Sequence, residues 1–132
     1  MSDKFNIEII TPSQTILKSQ VTEVTLPSYE GQMGVLIDHI PLITFLRPGL
    51  VLIKGQEEKK YYVEEGTVEF SNNNLLILTS TAKNLQDLSK SLINDLILQS
   101  QNKLKEVNLT DKEQYIESYK VETLKSINLQ SL

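Results

Sequence analysis

Phe5, Ile7 and Ile9 alternate with polar Asn6 and Glu8, the period of a strand with one buried face. Val21, Val24 and Leu26 make a second run, ended by Pro27, and Leu50-Val51-Leu52-Ile53 is continuous and reads as a core strand. Gly55-Gln56-Glu57 turns the chain into Tyr61-Tyr62-Val63, which predicts a hairpin. Val68 and Phe70 lead to Asn72-Asn73-Asn74, residues that tolerate positive φ in a tight turn, and Leu75-Leu76-Ile77-Leu78 returns. Short strands at this spacing predict an antiparallel β-sandwich or barrel.

The period then changes. Leu85, Leu88, Leu92 and Leu96 fall on one helical stripe, widened by Ile93, Ile97 and Leu104. Asn84 is placed to cap this helix, with Asp87 favouring its positive end. Thr110-Asp111-Lys112-Glu113 has the form of a capping box and announces a second helix to about Ile127, with Tyr115, Ile116, Tyr119 and Ile127 along one side. The Glu106–Leu109 connection is short, so the helices fold back as an antiparallel hairpin. All five glycines and all four prolines precede Thr67. The fold class is therefore mainly β plus α. An N-terminal antiparallel β-sandwich over residues 1–83 is expected, then a C-terminal two-helix hairpin over 84–132.

Composition narrows the function classes. At 132 residues the chain suits one ordinary domain with a small appendage. A net charge of -4 and a pI near 5.0 disfavour nucleic acid and anionic bilayers as partners. The absence of cysteine excludes disulfides and thiolate metal sites. The start, Met1-Ser2-Asp3-Lys4-Phe5-Asn6, has no apolar signal core, and no apolar run approaches the ~20 residues of a membrane helix. An unexported protein that reaches a membrane only through a partner is expected.

Little catalytic chemistry is available. His39 is the single histidine, so a zinc site is not expected. Asp38-His39 has the makings of half a catalytic triad, but the sequence offers no accompanying nucleophile and oxyanion loop, and the pair reads as a surface loop. Gly31-x-x-Gly34 lacks the Lys-Ser/Thr of a phosphate loop and the third glycine of a dinucleotide fingerprint, so its glycines read as turn residues. Glu57-Glu58-Lys59-Lys60 reads as a solvated hairpin tip. Arg47 is the only arginine, which weakens any claim to bidentate phosphate recognition. No catalytic, cofactor-binding or metal-ligating residue is expected. An interaction adaptor with a sandwich and a hairpin remains a competing reading.

The stretch from Leu26-Pro27-Ser28-Tyr29-Glu30-Gly31 through Gly34-Val35-Leu36-Ile37-Asp38-His39-Ile40-Pro41-Leu42-Ile43-Thr44-Phe45-Leu46-Arg47-Pro48-Gly49 resembles the epsilon subunit family of bacterial F-type ATP synthases. That family's signature runs G-x-x-G-(I/V)-L-x-x-H-x-P-L-(I/L)-T-x-L-(K/R)-P-G. Gly66-Thr67-Val68-Glu69-Phe70 and Leu75-Leu76-Ile77-Leu78-Thr79-Ser80-Thr81-Ala82 resemble a second family block, with Glu65 where a second glycine is usual. The resemblance implies a noncatalytic rotor subunit that couples c-ring rotation to ATP synthesis. It implies the gamma subunit and the c-ring as partners, with a hairpin that restrains ATP hydrolysis by reaching toward the alpha/beta catalytic head. It also implies peripheral placement on the cytoplasmic face of the bacterial plasma membrane. Carried over by residue, Glu30, Gly31, His39, Ile40 and Pro41 stand where the family's loops face the c-ring. Leu85, Leu88, Leu92 and Leu96 stand on the hairpin's packing face. Some members bind ATP at the start of the hairpin through an (I/L)-D-x-x-R-A motif. The matching stretch here, Leu88-Ser89-Lys90-Ser91-Leu92-Ile93, departs from that pattern and lacks both the aspartate and the arginine, so ATP binding at micromolar levels is not expected.

Overall fold

The computed structural model describes residues 3–130, which form ten strands followed by two helices. The strands are β1 (Phe5–Thr11), β2 (Gln14–Val21), β3 (Glu23–Ser28), β4 (Gly31–Leu36), β5 (Leu42–Leu46), β6 (Gly49–Lys54), β7 (Lys59–Val63), β8 (Gly66–Ser71), β9 (Asn74–Thr79) and β10 (Ala82–Asn84). The helices are α1 (Lys90–Leu104) and α2 (Asp111–Gln130). The strands bond in the order β10-β7-β6-β3-β5-β8-β9-β1-β2, with β4 paired to β3 off this path.

β3 and β5 share only the pair Ser28 and Leu46. The sheet folds over at this seam, giving the barrel-like sandwich. Inward positions from both halves meet in one core: Val24, Leu26, Val51 and Val63 from one, Ile9, Val68 and Ile77 from the other, all fully buried. The alternation of Phe5, Ile7 and Ile9 is that of the β1 face turned to this core. Asn72 and Asn73, at φ 50 and 57, make the two-residue connection between Ser71 and its partner Asn74. Two positive φ angles match the right-handed strand twist, which is why asparagine serves here.

Several strands extend or depart from the expected pattern. Pro27 does not end its strand: β3 continues to Ser28, with Pro27 opposite Gln32 of β4. On its other side β3 pairs with β6 only from Glu23 to Thr25, so at Pro27 no β6 ladder bond is lost to the missing N–H. Gly34 is not a turn residue but lies within β4.

The first helix starts later than the pattern suggested. Asn84 is taken up by β10, opposite Tyr61, and Leu85–Asp87 form one 3-10 turn. Ser89 is the cap instead. Its extended backbone (φ -80, ψ 156) lets its side chain accept the Leu92 N–H at 3.1 Å. The stripe turns with the helix start. Leu85 and Leu88 precede α1, Leu92 is exposed and Leu96 half-buried, while Ile93, Ile97 and Ser100 are the buried row. That row lies one residue on, about 100° around the helix.

The second helix has the expected box. Glu113 N–H donates to Thr110 Oγ1 at 3.1 Å, and Thr110 N–H donates back to Glu113 Oε1 at 3.3 Å. Hydrogen bonds from the Thr110 hydroxyl and backbone hold the Glu113 carboxyl below its ordinary range. This contribution is therefore present above the unfolded carboxyl value and fades as pH falls through the lowered one. The Asn128 side-chain amide donates to Asn94 Oδ1 at 2.8 Å, joining the end of α2 to the start of α1. The hairpin is antiparallel.

The chain divides into two compact units at Leu85 and Gln86. Ending the sandwich at residue 83 would split β10, so the natural fragment is residues 1–85. This fragment is expected to fold alone, with β-type circular dichroism and one cooperative unfolding transition. An aggregated or non-cooperative product would refute its autonomy.

Candidate functional site

Tyr29 and Glu30 form the turn between β3 and β4, and Gly31 opens β4 opposite Ser28. Ser28 Oγ donates to the Gly31 carbonyl at 2.7 Å and accepts the Glu30 N–H at 3.2 Å. Gly31 sits at φ 115, where a side chain would be strained. Glu30 is thus displayed at the tip of a turn whose shape comes from its neighbours.

From Gly31 the chain runs through β4, which among the described residues pairs with β3 alone. Only Val35 of this strand is fully buried, while Gln32, Gly34 and Leu36 are exposed. A short span is among the ways sheets blunt a free edge. The edge then enters the loop that carries His39, Ile40 and Pro41. Six strand residues separate Glu30 from this loop, about 20 Å. The residues expected to face the c-ring do not form one cluster. They mark the two ends of one free strand edge.

In that loop Asp38 takes a left-handed φ of 62. Its N–H donates to Asn73 Oδ1 at 2.7 Å, and Asn73 Nδ2 donates to Asp38 Oδ1 at 3.0 Å. His39 Nδ1 lies 2.8 Å from the Ile40 carbonyl oxygen, and its ring meets Phe70 edge-on at 5.9 Å. Asp38 and His39 therefore turn to different partners, and no Asp–His dyad is assembled. Ile40 projects outward, 74% exposed.

A second surface was not legible in the sequence. Pairing registers place Ile43, Glu69, Leu76 and Glu8 in one row across β5, β8, β9 and β1, and Phe45, Thr67, Leu78 and Ile10 in the next. These positions alternate with the core-facing ones, so both rows lie on the outer face. Ile43, Phe45 and Leu78 are 78%, 60% and 44% exposed. Tyr29 adjoins them, its N–H donating to the Phe45 carbonyl at 3.2 Å. Large apolar side chains clustered on the outer face of a sheet point to an interaction surface. The signal was present in Leu42-Ile43-Thr44-Phe45-Leu46, whose apolar residues occupy both faces of one strand.

Among the described residues, no group of three or more acidic or histidine side chains could hold a metal ion. No helix among them is long and apolar enough to cross a membrane.

The sequence profile of the family described as "ATP synthase, Delta/Epsilon chain, beta-sandwich domain" matches residues 4–85. The ATP synthase epsilon chain of Pelagibacter ubique is 45% identical over 130 residues, covering 97% of this chain and all of the relative. That of Rhizobium johnstonii is 29% identical over 124 residues, 92% of each chain. Among solved structures, a chain of the Euglena gracilis mitochondrial ATP synthase superimposes with a TM-score of 0.76 at 16% identity. It covers all of this chain and 84% of the other. A chain from the Tetrahymena thermophila mitochondrial ATP synthase central stalk and c-ring gives 0.63 at 12% identity, covering 96% of each. At these identities the two structures speak for the fold alone.

Proposed function

Because this chain belongs to the epsilon-chain family of F-type ATP synthases, we propose that it serves as a noncatalytic central-stalk subunit, coupling rotation of the membrane c-ring to ATP synthesis. The outer face of Ile43, Phe45 and Leu78 carries this reading. Covering an exposed side chain of this kind contributes at most about 1.5–3 kcal/mol, and the gamma subunit is the partner that the family resemblance implies. The β4 edge, with Glu30 and Gly31 at one end and Ile40 and Pro41 at the other, then meets the c-ring. Short turns held by their own hydrogen bonds suit a surface that must pass on torque, because little ordering entropy is lost on docking.

The separate bonding of Asp38 and His39 supports the noncatalytic role. The hairpin, joined within itself by Asn94 and Asn128, is the part that restrains ATP hydrolysis. The net charge of -4 fits attachment to the cytoplasmic face of the membrane through the complex rather than through lipid. An unrelated adaptor is not favoured, since the 45% identical relative matches this chain almost end to end.

Affinity purification of the tagged chain from detergent-extracted membranes of its own cells tests this. The gamma subunit and c-ring are expected to co-elute with the catalytic head. Elution alone, or with unrelated proteins, would overturn the assignment.

A further inference from the structure

We propose that Asn73 is a positioning residue for the Asp38–Pro41 loop, its carboxamide clamping Asp38 so that Ile40 is presented in a fixed place to the membrane ring. The proposal rests on the c-ring reading above and adds what holds that loop in shape. The loop passes from β4 in one half of the sandwich to β5 in the other, and inside it His39 N–H closes one turn on the Leu36 carbonyl at 3.1 Å. That bond does not tie the loop to the rest of the molecule. The Asn73 carboxamide does, at two points: its oxygen accepts the Asp38 N–H and its nitrogen donates to the Asp38 carboxylate. A two-point bond fixes both the backbone and the side chain of a residue whose left-handed φ of 62 is uncommon for anything but glycine.

The clamp is itself anchored. The Asn73 carbonyl accepts the Asn6 N–H at 3.0 Å, and Asn6 Nδ2 donates to Asn74 Oδ1 at 2.9 Å. Asn74 Nδ2 in turn donates to the Asn72 carbonyl at 3.0 Å. The turn holding the loop is thus fastened to β1. Glycine would satisfy the backbone at position 73 equally well, so the carboxamide is what distinguishes asparagine there. Beneath it, His39 lies edge-on to Phe70 and Phe70 edge-on to Phe5 at 5.7 Å, leaving Ile40 turned outward.

The test uses Asn73→Gly, which keeps the turn and removes the carboxamide, and the exchanged pair Asp38→Asn with Asn73→Asp, which restores one amide facing one carboxylate. Amide hydrogen exchange is followed in the isolated full-length protein. ATP-driven proton pumping and ATP hydrolysis are compared in membrane vesicles carrying the whole complex. For Asn73→Gly, exchange at Asp38 is expected to rise about tenfold while core amides such as Ile77 are unchanged. Proton pumping is expected to fall with hydrolysis retained, and the exchanged pair should recover both protection and pumping. Unchanged exchange at Asp38 would overturn the clamp itself. Faster exchange with pumping intact would overturn its role in presenting Ile40, and with it the c-ring reading of this loop. A complex lacking the wild-type chain would instead sink the functional assignment, whatever the exchange shows.

Discussion

Gly66→Ala is expected to lower the melting temperature of the isolated protein by roughly 15 °C, the shift that about 3 kcal/mol produces in a domain of this size. A methyl group at this position would run into the Leu78 carbonyl oxygen and would lie 2.9 Å from Thr79 Cα and 3.0 Å from Thr79 Cβ. Two of these atoms are backbone, so no side chain can swing aside to make room. Relief requires β8 and β9 to part at the Gly66–Thr79 pair. That pair lies beside the seam, because Gly66 also faces Leu46 of β5. The Thr79 hydroxyl donates to the Glu65 carbonyl at 2.7 Å, a bond lost in the same displacement. Gly34→Ala is the matched control, since nothing lies within 4 Å of its added carbon. It should move stability by no more than about 0.5 kcal/mol. Thermal unfolding followed by circular dichroism compares the two, and equal melting temperatures would refute the crowding argument.

Phe45→Asp is expected to weaken binding of the gamma subunit at least about a hundredfold while leaving the isolated fold unchanged. The side chain is 60% exposed and points away from the core, so a carboxylate there stays hydrated in the free protein. In the complex the same carboxylate would be covered by an apolar partner surface, at a cost of several kcal/mol, and about 1.4 kcal/mol is already tenfold in affinity. Ile43→Asp, one row away on the same face, should act alike. Thr67→Asp lies between Phe45 and Leu78 in the same row and tests whether the whole face is covered. Titration of purified gamma subunit against each variant measures the effect. Wild-type affinity for both Phe45→Asp and Ile43→Asp would show that this face is not the gamma interface.

What was legible in the sequence follows from how many faces each strand buries. Phe5, Ile7 and Ile9 announce β1 because one face is core and the other is solvent. β2 buries only Leu17 and Val21, four residues apart, which leaves no period of two to detect. β4 buries only Val35 and includes two glycines, so it reads as a turn. β5 carries apolar residues on both faces, one turned to the core and one exposed. No pattern in a single chain separates the two until the register is known. Local chemistry was more reliable where the partners are three residues apart, as in Thr110 and Glu113. It misplaced the start of α1 because Asn84 is as good a cap as Ser89. Strand pairing with Tyr61, twenty-three residues earlier in the chain, settled the competition. The Asp38–Asn73 clamp joins residues 35 positions apart and left no local trace at all.

The parallel pairing of β1 with β9 sets an order of events at the ribosome. Asn6 and Asn74 are bonded across 68 positions, so the first strand made must wait for one of the last strands of the sandwich. At roughly 5–20 residues per second, that interval lasts several seconds. During it Phe5, Ile7 and Ile9 have β2 beside them but no β9 on their other edge. Until then the nascent chain offers an uncovered apolar strand to chaperones and to neighbouring copies of itself. The turn at Asn72 and Asn73 is then where closure happens: it folds β9 back on β8, brings Leu75 and Ile77 alongside β1, and ends the exposure in one step.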